Sequence, residues 1–147
     1  MTRLRSAFLV LVLLLAGCAG SGSQAPPPTL YQQLGGEAGI RAIVEDFAYR
    51  VADDPQLVGF FANTNIDHLV ASLEQQFCAV SDGPCVYQGP PMDKVHQYMG
   101  IRETDFNRLV GKLQAALLAQ GVPAAARNQL LKRLAAMHDD VMRRQDG

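Results

Sequence analysis

The sequence has no sustained alternation of apolar and polar residues, the pattern of a half-buried strand, and this argues against a β fold. It lacks a basic stripe, so no nucleic acid is expected as partner. There is no glycine-rich phosphate loop after a strand and no Gly-x-Ser-x-Gly elbow, which removes the common nucleotide-handling and serine-hydrolase arrangements. The acidic pairs Asp53-Asp54 and Asp139-Asp140 are adjacent in sequence. On a helix they would diverge, which suits a solvated surface better than acid–base catalysis. No apolar run approaches the roughly 20 residues of a membrane-spanning helix. Cysteine is sparse, three in 147 residues, and no second ligand cluster lies near any of them, which disfavours a zinc site.

What is present begins with a leader. Arg3 and Arg5 precede an apolar run from Ala7 to Leu15, and residues 1–17 read as a signal peptide. The run ends in Leu15-Ala16-Gly17-Cys18, which resembles the bacterial lipoprotein cleavage motif. In that motif the cysteine becomes the lipid-bearing N-terminus, so Cys18 is the expected lipidation site and the membrane an expected partner. Ala19 follows where an aspartate would signal inner-membrane retention. By analogy the chain is exported and anchored at the outer membrane, facing the periplasm. A plain signal peptide with an incidental cysteine is the alternative. Residues 18–28 are rich in Gly, Ser, Gln and Pro and read as a flexible tether ending in three prolines. The folded domain is expected over residues 29–147. Losing Arg3 and Arg5 takes the basic count from 13 to 11 against 14 acidic residues, a formal charge near −3.

Cys78 and Cys85 suit an exported, oxidising compartment and could pair. On one continuous helix their Cα atoms would lie about 10 Å apart, too far for a bond. Ser81-Asp82-Gly83-Pro84 breaks any helix between them and allows closure. Two buried free thiols are the other reading.

The rest is helical in pattern. Ile40, Ile43, Val44, Phe47, Ala48 and Val51 share one face of a helix that starts after Gly35-Gly36 and stops near Asp53-Asp54-Pro55. Leu57, Phe60 and Phe61 make an apolar corner, and residues 63–67 offer N-caps for a helix carrying Leu69, Leu73, Phe77 and Val80. A Gly/Pro-rich loop then leads to a turn in which Met92, Val95, His96 and Met99 fall at helical spacing. A long helix carries Phe106, Leu109, Val110, Leu113 and Leu117 up to Gly121-Val122-Pro123. One final helix carries Leu130, Leu131, Leu134, Met137 and Val141 and runs into a charged tail expected to fray. The fold class is all-α, one domain.

Three histidines are present: His68, His96 and His138. A lone histidine on an apolar helix face is more often a satisfied structural residue than a ligand. His138, four residues after Leu134, shares the apolar side, so burial alone does not single out His96. Attachment of an apolar cofactor through one histidine is chemically reasonable, since haem needs one basic nitrogen and a large apolar crevice.

In order and spacing, the pieces resemble group I truncated haemoglobins. They are Leu30-Tyr31-Gln32-Gln33-Leu34-Gly35-Gly36, Ile43-Val44-Glu45-Asp46-Phe47, Asp54-Pro55, Phe60-Phe61, Gly83-Pro84, Tyr87-Gln88-Gly89, Met92, His96, Gly100-Ile101, Phe106 and Gly121-Val122-Pro123. The resemblance implies a two-over-two helical sandwich around haem b. It makes His96 the proximal iron ligand and puts Phe61 on the haem face at the helix corner. It implies that Phe77, Met92, Val95, Ile101, Phe106 and Leu109 line the crevice, and that Phe47, Ala48, Leu69 and Leu73 form the distal pocket.

The distal side departs from the family. Ala48 stands where tyrosine is usual, and Leu69 and Leu73 stand where glutamine is frequent. Tyr49 is rotated about 100° away, and Gln75 and Gln76 lie beyond the two leucines. A mostly apolar pocket follows. Polarised dioxygen gains from a donor, and one hydrogen bond is worth roughly 0.5–1.5 kcal/mol. The expected function is therefore binding of diatomic gases (oxygen, nitric oxide, carbon monoxide), weighted toward nitric oxide sensing or scavenging. Nitric oxide dioxygenase or peroxidase-like turnover is the enzymatic alternative; an exported location supplies no evident reductase, and the redox partner is unknown. The remaining alternatives are a haem-free structural lipoprotein and a bis-histidine state using His68.

Overall fold

Regular structure starts just past the three prolines. In the computed structural model, which describes residues 25–146, Thr29 caps a one-turn helix, α1 (Leu30–Gln33). Its hydroxyl accepts from the Gln32 amide, and the Gln32 side chain accepts from the Thr29 amide. The expectations for the leader, for Cys18 and for the tether as far as residue 24 lie outside the described residues.

Gly35 and Gly36 turn the chain with φ of 90° and 65°, in the left-handed region that glycine enters without penalty. Helix α2 (Gly36–Ala52) follows at once. A Cβ on Gly39 would stand 2.0 Å from the Leu34 carbonyl oxygen, so this residue lets α1 and α2 meet backbone to backbone. The helix buries Ile40, Ile43, Val44, Phe47 and Val51, the face expected from spacing. Ala48 is only half-buried at its edge.

At the corner after α2, Asp54 is 2% exposed. Its carboxylate accepts from Arg108 Nε at 2.7 Å, Lys112 Nζ at 2.8 Å and the Gln56 amide at 3.0 Å. A buried carboxylate without partners would be costly, so this cluster ties the corner to α5 (Glu103–Ala119). A 3₁₀ turn (Val58–Phe61) carries the two phenylalanines, and Asn65 caps α3 (Ile66–Val80) by accepting from the His68 amide.

Beyond α3 the chain runs without regular structure to the one-turn helix α4 (Met92–Val95), then to α5. Gly121, at φ 69°, turns it into α6 (Ala124–Ala135). The single final helix expected from the sequence is two. α6 ends at Ala135 and α7 (His138–Met142) starts after a turn at Ala136 and Met137. Helix α2 packs most extensively on α5 and α3, and α6 closes against both of these. Two helices thus lie over two, with Leu113, Ala116, Leu117, Ala126 and Leu130 almost fully enclosed between them. Among the described residues there is no strand.

Candidate functional site

Between α3 and the short α4 lies a slot made of two adjoining cavities, about 230 and 170 Å³. Together they fall within the roughly 300–1,000 Å³ typical of small-molecule sites. The first is bounded by Leu57, Phe60, Phe61 and Leu69 on one side and by Val95, Met99 and Ile101 on the other. The second is bounded by Phe47, Leu73, Gln76 and Phe77 against Met92, with Leu131, Leu134 and Met137 behind. His96, Phe106, Leu109 and Val141 border both. His96 stands at the junction.

Local geometry fixes what this histidine can do. Its Nδ1 lies 2.9 Å from the Met92 carbonyl oxygen. A carbonyl only accepts, so Nδ1 carries the proton, and in the neutral imidazole that leaves the lone pair on Nε2. An imidazole oriented through a backbone carbonyl in this way is a made-up ligand, with tautomer and ring angle both set. Helix α4 ends at Val95, four residues short of the Met99 that the helical spacing suggests, with His96 as its C-cap residue at φ −104°, ψ 3°. Met92, Val95, His96 and Met99 nonetheless all reach the slot. Val95 does so from its rim, being 44% exposed.

A four-residue helix is far too short to hold itself, so its position is imposed from outside. On the approach, Cys78 in α3 is bonded to Cys85 in the loop, with Cα atoms 5.7 Å apart. A Cβ on Gly83 would lie 2.6 Å from the Tyr31 ring and 2.7 Å from Cys78 Sγ, so only glycine lets the loop settle there. Arg133 of α6 reaches the Val80 carbonyl at 2.6 Å and the Asp82 carboxylate at 2.8 Å. On the exit, Tyr98 and Gly100 adopt φ of 60° and 68°. For a tyrosine this costs of order 1–2 kcal/mol, which the surroundings must offset.

Residues 144 and 145 supply the offset. The Tyr98 amide donates to the Arg144 carbonyl at 2.7 Å, and the Ile101 amide donates to Gln145 Oε1 at 2.9 Å. Gln145 Nε2 donates to the His96 carbonyl at 2.9 Å and to the Val141 carbonyl. Arg144 also stands 3.6 Å from the Asp93 carboxylate. The tail expected to fray is docked instead. Nothing in local sequence marks it, because its partners are backbone groups some 45 residues away.

The distal residues fall as follows. Leu69 and Leu73 line the first and second cavity respectively, and Phe47 joins Leu73. Ala48 borders neither of these cavities, and Phe47 takes the inward direction at that turn. Tyr49 is 78% exposed and points away. Gln75 turns outward, accepting from the Gln88 amide at 2.6 Å. Gln76 does not: it is 9% exposed, and its Nε2 meets Met92 Sδ at 3.4 Å and Met137 Sδ at 3.7 Å across the second cavity. Thioether sulfur is a weak acceptor, so the otherwise apolar chamber holds one weakly engaged amide. Thr64 stands at the exposed mouth of the first cavity, and the carboxylate of Asp105 there is taken up by Arg102.

The other histidines separate clearly from His96. His68 is exposed and borders neither cavity. The break between α6 and α7 takes His138 off the apolar face, where continuous periodicity had put it. Its Nε2 lies 2.9 Å from Glu103 and its Nδ1 3.1 Å from Asp139, and its ring meets the edge of Phe106 at 4.7 Å. Asp139, then Glu103, push its pKa upward.

A slot lined by aliphatic, aromatic and thioether side chains, with one oriented imidazole nitrogen at its centre, fits a flat apolar macrocycle carrying a metal. His96 would ligate haem iron, while Phe61, Leu69, Leu73, Phe77, Met92, Val95, Ile101, Phe106 and Leu109 would enclose the ring. Known proteins agree with this fit. The family model for bacterial-like globins matches residues 29–143. The Group 1 truncated hemoglobin GlbN of Mycolicibacterium paratuberculosis is 36% identical over 118 residues, 80% of this chain and 87% of that one. The protein of that name from a Nostoc species is 33% identical over 118 residues, covering 78% and 97%. Among solved structures, the Fe(III) truncated hemoglobin of Tetrahymena pyriformis superposes with a TM-score of 0.74 at 30% identity, covering 78% of this chain and 97% of that one. The chain therefore belongs to the bacterial-like globins, as a haem-binding truncated haemoglobin of the group 1 type with the two-over-two helical fold.

Proposed function

We propose that this protein binds diatomic gases at haem held by His96, and that its distal wall favours nitric oxide and carbon monoxide over retention of oxygen. The observation that carries this reading is the pairing of His96 Nδ1 with the Met92 carbonyl, which leaves Nε2 free at the junction of two apolar cavities. Bound haem would supply an open coordination position for a small gas. The chain's own residues supply the rest. Leu69, Leu73 and Phe47 offer no donor, the Gln76 amide beside them is turned to the Met92 and Met137 sulfurs, Ala48 borders neither cavity, and Tyr49 faces solvent. Dioxygen gains most from a donor because it takes on charge; nitric oxide and carbon monoxide depend on one less. The test is an absorption spectrum of the reconstituted protein, oxidised, reduced and under carbon monoxide. A Soret band that shifts on adding carbon monoxide, and is lost in His96→Ala, is expected. No band in the wild type would overturn the reading and leave a haem-free structural protein.

Export and lipid anchoring at Cys18, facing the periplasm, form part of the same proposal. The disulfide between Cys78 and Cys85 supports it, because such bonds persist in oxidising compartments. Radiolabelled palmitate should enter the full-length protein in cells and fail to enter the Cys18→Ala form. Equal labelling of both would contradict it.

A further inference from the structure

Residues 96–101 satisfy little of their own hydrogen bonding. The amides of Tyr98 and Ile101 and the carbonyl of His96 are all paired with residues 144 and 145. One carboxamide makes two of these three bonds: Gln145 accepts from Ile101 and donates to His96, spanning both ends of the turn. It is itself seated by donating to the Val141 carbonyl one helical turn back, and Arg144 beside it faces Asp93 of α4. The imidazole is oriented from the other side by Met92, so the backbone of His96 is gripped between α4 and the residues that follow α7.

We propose that Gln145 is the positioning residue of the iron-ligating histidine. By holding the His96 carbonyl and the Ile101 amide at a fixed separation, it sets the direction from which Nε2 enters the slot. The inference rests on the reading of His96 as haem ligand. It goes beyond that reading by placing control of the ligand's aim in a polar residue that borders neither cavity. Both functions of the amide are needed. A carboxylate at 145 would still accept from Ile101, but it would set oxygen against the oxygen of His96.

Two substitutions separate the roles. Gln145→Met keeps the length of the side chain and removes all three of its bonds; Gln145→Glu keeps only the bond from Ile101. In haem-free protein, amide exchange at Ile101 should quicken at least tenfold in Gln145→Met and stay close to wild type in Gln145→Glu. The His96 ring resonances should move in both. In the ferrous haem-loaded protein, the iron–histidine stretching band should shift in both variants, and haem transfer to an apoglobin acceptor should quicken roughly tenfold or more, the loss of the bond to the His96 carbonyl alone being worth about that factor. If the amide merely docked the tail, Gln145→Glu would behave as wild type in every readout, and that result overturns the proposal. Unchanged His96 resonances and an unchanged band in Gln145→Met overturn it equally. A wild type that takes up no haem would remove the haem reading instead; the exchange and ring-resonance data then decide the positioning role alone.

Discussion

The α3 wall of the crevice meets it with Leu69, Leu73 and Phe77, side chains that a regular fifteen-residue helix presents by its own periodicity. The α4 wall opposite is a single turn that holds almost nothing by itself. Its place comes from a disulfide behind it, a glycine pressed onto Tyr31, an arginine from α6 and a glutamine from beyond α7. On the proposed reading one wall acts by withholding a hydrogen-bond donor from a bound gas, its one cavity-lining amide, Gln76, being turned to the Met92 and Met137 sulfurs. The other acts through what is brought in to aim a nitrogen. Changes on the α4 side should therefore alter whether haem stays, and changes on the α3 side should alter which gas stays.

The largest expected effect breaks the α4 wall outright. His96→Ala should weaken haem retention by more than about 100-fold, beyond the 10–100-fold that typically follows losing a partner of a metal ligand. Its haem-free melting temperature should stay near wild type, since the side chain is only half-buried. Haem titration and calorimetry check both halves. Next comes the approach to that wall. Replacing Cys78 and Cys85 together by serine opens an eight-residue loop and should cost about 2–3 kcal/mol in urea unfolding, with faster haem loss. Reduction of the wild type should reproduce it.

The Asp54 cluster lies outside both walls, so changing it should leave haem and gas binding alone. Lys112 and Arg108 hold its carboxyl well below the ordinary value of 3.8. A depressed pKa contributes stability that is present above the unfolded value and lost as pH falls through the folded one. Asp54→Asn should thus flatten the loss of melting temperature below about pH 4 while leaving gas kinetics unchanged. The smallest effect concerns His138. Its pKa is raised by Asp139 and by Glu103 of α5, with the Phe106 edge as the remaining neighbour. The contribution is complete below the unfolded value of 6.5 and is lost as pH rises through the raised one. Protection of the α7 amides, corrected for intrinsic exchange, should fall over that interval in the wild type, and that fall should vanish in His138→Gln.

The four main helices were legible because a 3.6-residue apolar period survives wherever a helix is long enough to bury a face. Phe47, Phe77, Leu113 and Leu130 all lie inward as that period requires. His96 was reachable through its neighbours at three- and four-residue spacing and through the order of the surrounding motifs. Two errors share one cause. The final helix looked continuous because Leu134, Met137 and Val141 keep the period across the turn at Ala136 and Met137, and this put His138 on the wrong face. Gln145 and Gln76 were opaque for a different reason. A glutamine's partners are chosen in space, and neither the His96 carbonyl nor the Met92 sulfur leaves a mark near residue 145 or 76.

On this reading α3 leaves bound oxygen without a donor, because its one cavity-lining amide, Gln76, faces the Met92 and Met137 sulfurs. This is tested most directly by the oxygen dissociation rate of the ferrous haem-loaded protein, measured side by side for wild type and Leu73→Gln, which adds an amide to a side chain lining the second cavity. Rapid release from the wild type is expected, slowed roughly tenfold in the variant, as one hydrogen bond of about 1.4 kcal/mol requires. Slow release from the wild type, unchanged in Leu73→Gln, would contradict it and point to Gln76 as a donor already in place.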